Sequence, residues 1–282
     1  MIPSEFEYYA PDTLEEAVGL LVQHGEEAKI LSGGHSLVPL LKAHIARPGV
    51  LVDIGRLGDL SYIRDEGGVC RIGTRTTHYE IESSDALKAR FPLLPEVAEQ
   101  IGDVQVRNKG TLGGSLAHAN PAADYPAAVI ALRATVAAVS PKGEREIPID
   151  EFFTGPLATC LEPDEILTEV RIPDAGGACA YRKAAQRASG FAVVGIAVQL
   201  AVVDGTCKSA GVGVTGLAAC PFRAAGVEET LTGGGLDEDA AAAAAAKVAE
   251  GVDPLEDLFA SGEFRAHLAR VHCRRAIRAA AG

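Results

Sequence analysis

The chain has 282 residues, more than one ordinary core needs and few for three, so two domains are expected. It is 48% hydrophobic and 23% charged, which excludes a disordered chain or a fibre. With 26 Lys and Arg against 38 Asp and Glu the net charge is −12, and no long basic run offers a footprint for nucleic acid or anionic lipid.

The N-terminal MIPSEFEYYAPD has neither the basic flank nor the apolar segment of a signal peptide. Thr13 with Glu16 three residues on starts a helix whose stripe is Val18, Leu21 and Val22, and Gly25 stops it. Lys29 to Leu31 is a short strand, followed by Ser32-Gly33-Gly34-His35-Ser36. Leu37, Leu40, Leu41 and Ile45 recur at helical spacing, and Val50 to Ile54 is a second strand, which completes a βαβ unit. Val69 to Gly73 reads as a strand and Glu80 to Ile101 as interrupted helix. Thr111 to Asn120 reads as a glycine-rich loop and Ala122 to Leu132 as a helix, while Thr135 to Val139 and Ile166 to Ile172 read as strands. This order of elements gives an α+β class.

From Ala178 the alternation tightens. Phe191 to Val203 and Lys208 to Thr215 flank the hairpin signal Asp204-Gly205. The alanine run Ala240 to Ala246 and the segment Phe264 to Ile277 are helical. In the latter, Phe264, Leu268, Val271 and Ile277 form one apolar face, and Arg270, Arg274 and Arg278 run at i, i+4, i+8 as a solvated basic face or a docking stripe for a partner. A meander followed by helices sets a domain boundary near Pro173 to Gly177.

No stretch approaches 18 continuous apolar residues, so no membrane span is expected. The six cysteines lie 13 or more residues apart, with no C-x-x-C pair, and read as reduced thiols of a cytoplasmic protein. No clustered thiolates mark an iron–sulfur site, the seven His show no i, i+4 pairing for a metal, and there is no P-loop or G-x-G-x-x-G motif. What remains is two glycine-pair loops with hydroxyl flanks, around Gly33-Gly34 and Thr111-Leu112-Gly113-Gly114-Ser115. Glycine lets successive N–H groups approach one anion, so the loops can enclose a pyrophosphate without Lys or Arg; they can equally be ordinary tight turns.

Three segments, AKILSGGHSLVPLLK, VRNKGTLGGSLAHANPAADYPA and FFTGPLATCLEPDEILTEVRIP, resemble the FAD-binding medium subunits of the molybdenum hydroxylases, the family of xanthine dehydrogenase and aerobic carbon monoxide dehydrogenase. The resemblance spans the whole chain. It implies a two-lobed FAD-binding domain of the vanillyl-alcohol-oxidase/MurB-like (PCMH) type over 1–175, with subdomains of about 1–56 and 57–175. A flavoprotein C-terminal α+β domain with an antiparallel sheet and helices would follow over 176–282.

By the same resemblance FAD is held by Lys29, Ile30, Leu31, Ser32, Gly33, Gly34, His35, Ser36 and Leu37, and by Thr111, Gly113, Gly114 and Ser115, the last standing where the family usually has Asn. Ile101 and Leu167 would pack on the cofactor, Asp124 would bind near the adenosine ribose or serve as a helix N-terminal carboxylate, and Lys183 would lie near the flavin. Tyr181 and Phe191 are expected to pack the sheet.

The resemblance further implies an electron-transfer role beside a large molybdenum–pterin subunit and a small subunit with two 2Fe–2S clusters, assembled as a dimer of heterotrimers, with no catalytic or metal residue on this chain. Carbon monoxide is the leading substrate; aldehydes, purines and other N-heterocycles stay open, as does the terminal acceptor. A stand-alone flavin reductase or oxidase of the same fold and a flavin-free assembly subunit are the alternatives.

Overall fold

The computed structural model describes residues 2–174 and 176–282. A parallel three-stranded sheet orders Glu7–Tyr9, Val50–Asp53 and Ala28–Leu31, with Val50–Asp53 central. The helix Leu14–His24 covers it, capped by the Thr13 hydroxyl on the Glu16 N–H and ended at Gly25, whose φ is +55°. Glu16 reaches back to the Asp12 N–H rather than to the cap residue itself. The segment Leu37–Lys42 is helical between the parallel strands, so the expected βαβ unit is present.

An antiparallel five-stranded sheet follows, ordered Ile63–Glu66, Val69–Gly73, Ile166–Pro173, Thr135–Ser140 and Gly143–Pro148. Ile166 also joins the core of the first sheet, so one strand serves the cores of both sheets. The third sheet runs Ala178–Ala185, Ala192–Val203, Thr206–Thr215 and Phe222–Arg223. Its long hairpin turns at Asp204 and Gly205, both at positive φ (+49° and +73°), as a tight two-residue turn requires.

Two expectations are corrected. The Thr111–Asn120 loop is largely a helix, Leu112–His118, because the Thr111 hydroxyl caps the Gly114 N–H at 3.1 Å. In the final helix, Gly262–Ala281, the buried face is Ala266, Ala269, Cys273, Ala276, Ile277 and Ala280, while Phe264 is half exposed. Small residues bring this helix close to the sheet, and Arg265 is buried with it, donating to the Gly216 and Val193 carbonyls and to Asp257.

The helix Tyr125–Ala131 is buried along its whole length and packs on Thr206–Thr215, and it shares a core with the second sheet, so it links the second sheet to the third. The approach is closed to side chains: a Cβ at Gly211 would overlap the Ala131 carbonyl oxygen, and one at Gly213 the Ala127 carbonyl oxygen. Both obstacles are backbone and cannot rotate away. Substituting Gly213→Ala should therefore cost about 3 kcal/mol, seen as a lower midpoint in chemical denaturation with the secondary-structure signal of the folded protein retained.

Candidate functional site

The two glycine loops meet. Gly33 lies so close to the second loop that a Cβ there would collide with the Lys109 carbonyl oxygen and stand 2.9 Å from Gly110 Cα. The Ser32 and Thr111 hydroxyls are hydrogen-bonded across the seam at 3.2 Å. A cleft of about 460 Å³ opens beside this seam. Lys29, Ile30, Ser32 to Leu37, Ile101, Thr111, Gly113 to Ser115, Asp124 and Leu167 line it, which brings together all the expected site residues but two. Leu31 packs behind the loop, its side chain against the Gly34 position, and Lys183 lies beneath the cleft wall.

The loops contribute differently. The backbone N–H groups of Gly33, Gly34, His35 and Ser36 have no protein acceptor among the described residues. Gly34, at φ +76°, makes the turn that presents them. In the second loop the N–H groups from Leu112 to Ser115 are already used: Leu112 donates to Thr76, Gly113 to Thr74, Gly114 to the Thr111 hydroxyl and Ser115 to the Thr111 carbonyl, all within 3.1 Å. Gly113 and Gly114 are there for closeness, since a Cβ at Gly113 would collide with the Thr74 side chain. The second loop therefore supplies a smooth wall and the Ser115 hydroxyl, and the first supplies the amide donors.

Asp124 forms the base of the cleft, with 5% of its surface exposed. Its Oδ1 accepts from the Tyr181 hydroxyl at 2.6 Å and the Lys183 ammonium at 2.9 Å, and Oδ2 has no protein donor among the described residues. Burial pushes the carboxyl up, against the opposing pull of Lys183 and Tyr181. It occupies the N-cap position of the helix Tyr125–Ala131 without a side-chain capping bond, so it is a helix N-terminal carboxylate as well as a cleft residue.

Several lining residues escaped the sequence reading. Thr74 and His78 follow the strand Val69–Gly73, and the hydroxyl-rich run Thr74 to Thr77 was the available signal. Phe191, expected to pack the sheet, is 46% exposed and lines the cleft, whereas Tyr181 is fully buried as expected. A glycine before an aromatic at a strand start does not say which way the ring points.

His78 is the chemically informative addition. Its ring lies 5.2 Å from that of Tyr125, and its Nδ1 and the Tyr125 hydroxyl are buried without protein partners. Burial, with His35 and Arg107 nearby, lowers its pKa from 6.5 to about 4. The folded chain thus binds fewer protons than the unfolded chain between these values, and stability is lost as pH falls from about 6.5 to about 4. The expected slope from this group is about 1.4 kcal/mol per pH unit, measured by denaturation across that window and removed in the H78Q protein.

Residues 4–175 match the model of the FAD binding domain in molybdopterin dehydrogenase, and residues 179–280 that of the CO dehydrogenase flavoprotein C-terminal domain. The chain is 39% identical to the carbon monoxide dehydrogenase medium chain of Hydrogenophaga pseudoflava, over 99% of this chain and 98% of that one. It is 32% identical to the glyceraldehyde dehydrogenase medium chain of Sulfolobus acidocaldarius, over 99% of each. A solved structure of the Hydrogenophaga pseudoflava carbon monoxide dehydrogenase superposes with a TM-score of 0.96 at 40% identity, over 99% of this chain and 98% of that one. The chain belongs to the FAD-binding family of the molybdopterin dehydrogenases and is a flavoprotein component of an oxidoreductase, with FAD as its cofactor.

Proposed function

We propose that this chain is the FAD-carrying electron-transfer subunit of a heteromeric molybdenum hydroxylase whose substrate is carbon monoxide. A large molybdopterin subunit would oxidise the substrate, a small subunit with two 2Fe–2S clusters would relay electrons, and this chain would pass them to an external acceptor. The complex would be a dimer of heterotrimers in the cytoplasm. Among the described residues no helix is long and apolar enough to cross a membrane. We assign the FAD-binding domain to 1–175, with lobes of about 1–56 and 57–175, and the C-terminal domain to 176–282. The near full-length match to a carbon monoxide dehydrogenase medium chain supports the substrate, and the glyceraldehyde dehydrogenase relative marks the competing one.

The observation that carries the cofactor assignment is the row of four unpaired N–H groups at Gly33–Ser36, facing a wall of Gly113 and Gly114. A dianion such as a pyrophosphate would be met there by oriented amide dipoles, with the Lys29 ammonium on the cleft lining as well. The free Oδ2 of Asp124 suits a ribose or ribityl hydroxyl, and Ile101, Leu167 and Phe191 give apolar surface to a planar ring. Ser115 offers a single donor–acceptor oxygen where an Asn amide would offer a carbonyl acceptor and an NH2 donor on two separate atoms. When bound, FAD supplies the chemistry, accepting electrons one at a time and releasing them in pairs. The protein's part is to hold it, orient it and limit the access of water.

The first test is the visible spectrum of the chain made alone and with its neighbouring open reading frames. Flavin bands are expected in both, bleached by dithionite in both and by carbon monoxide only in the complex. Bleaching by glyceraldehyde instead would move the substrate assignment, and a folded chain that stays colourless with added FAD would end the two-loop argument. Gly33→Ala, which drives the loops apart, should weaken FAD binding at least about tenfold. Asp124→Asn, which removes a charged acceptor, should do so by about tenfold, each read as Kd from flavin fluorescence.

A further inference from the structure

The geometry points to Lys183 as a positioning residue that staples the two walls of the cleft together and aims Asp124 into it, rather than as a cofactor contact. This rests on the cleft being the FAD site. Lys183 sits on the strand Ala178–Ala185 with 6% of its side chain exposed, and it is not among the cleft-lining residues. Its ammonium donates to the Gln100 carbonyl at 2.7 Å, the Gly190 carbonyl at 2.8 Å and Asp124 Oδ1 at 2.9 Å. An ammonium has three hydrogens, so no donor is left for a ligand.

The three acceptors come from three places that meet nowhere else in sequence. Gln100 leads into Ile101 and Gly102, one wall of the cleft. Gly190 belongs to the turn Gln186–Phe191, the adjoining wall, which is closed on itself by the Gln186 N–H on the Phe191 carbonyl and by the Gly190 N–H on the Gln186 carbonyl. The walls touch where a Cβ on Gly190 would stand 3.9 Å from the Gly102 N. Asp124, the base, gives Oδ1 to Lys183 and Tyr181 and so turns Oδ2 to the cleft. One buried cation thus sets the separation of the walls and the rotamer of the carboxylate.

The test compares D124N, in which Lys183 loses its counter-charge but keeps the two carbonyl acceptors that join the walls, with K183M/D124N, which removes the ammonium as well, both in flavin-free protein. Trypsin cleavage after Arg187, which is exposed on the stapled turn, reports the freedom of that wall. Cleavage in D124N should stay within about twofold of wild type, and in K183M/D124N should rise at least about tenfold, with FAD Kd raised about tenfold beyond D124N. Faster cleavage establishes the staple. Unchanged cleavage overturns it, and if FAD affinity still falls, Lys183 is a direct ligand. If wild-type protein fails to bind FAD, the digestion still decides the staple, and only the cofactor reading of the cleft fails.

Discussion

Everything near the cleft depends on one backbone-to-backbone contact, the seating of the helix Tyr125–Ala131 on Gly211 and Gly213 of the third sheet. With no side chain between them, the helix carbonyls rest on the strand, and the C-terminal sheet is brought up to the FAD-binding lobes at a distance nothing larger would allow. Asp124 immediately precedes this helix, and Tyr181 and Lys183 lie on the sheet beside it. Their meeting under the cleft follows from that seating. Such contacts have little tolerance because a carbonyl cannot step aside as a rotamer can.

The second constraint is electrostatic. A chain of net charge −12 that holds a phosphate-bearing cofactor could be expected to reserve cations for it. Lys29 is the one lysine on the described cleft lining; beside it the loop Gly33–Ser36 keeps amide dipoles free, and the buried Lys183 beneath the cleft is spent on a carboxylate and two carbonyls. Fixed dipoles need no reorganisation when the ligand arrives, while a flexible ammonium would lose side-chain entropy. The seam between the loops, with Gly33 against Lys109 and Ser32 bonded to Thr111, keeps those dipoles aimed.

Much of the fold was legible because local signals were strong: the Thr13 cap, the Asp204-Gly205 turn and the alternation on either side of it. The reading failed where a signal had two meanings. Gly113 and Gly114 look like loop residues, but they open a helix and are small because Thr74 and the Thr111 cap crowd them. In the last helix the large apolar residues share a face by periodicity, yet of them only Ile277 is fully buried, and alanine, Cys273 and Arg265 make up the rest of the buried face.

The sequence by itself determined the elements, the two glycine loops and the family, because caps, turns and motifs are encoded within a few residues of one another. Only the tertiary structure decided which N–H groups stay free, which way Phe191 points and what Lys183 holds. Those are properties of partners distant in the chain: Lys183 meets acceptors 83 and 59 residues before it and 7 after it. Whether an ammonium is solvated, bound to a ligand or fully satisfied inside the protein depends on which carbonyls folding brings to it.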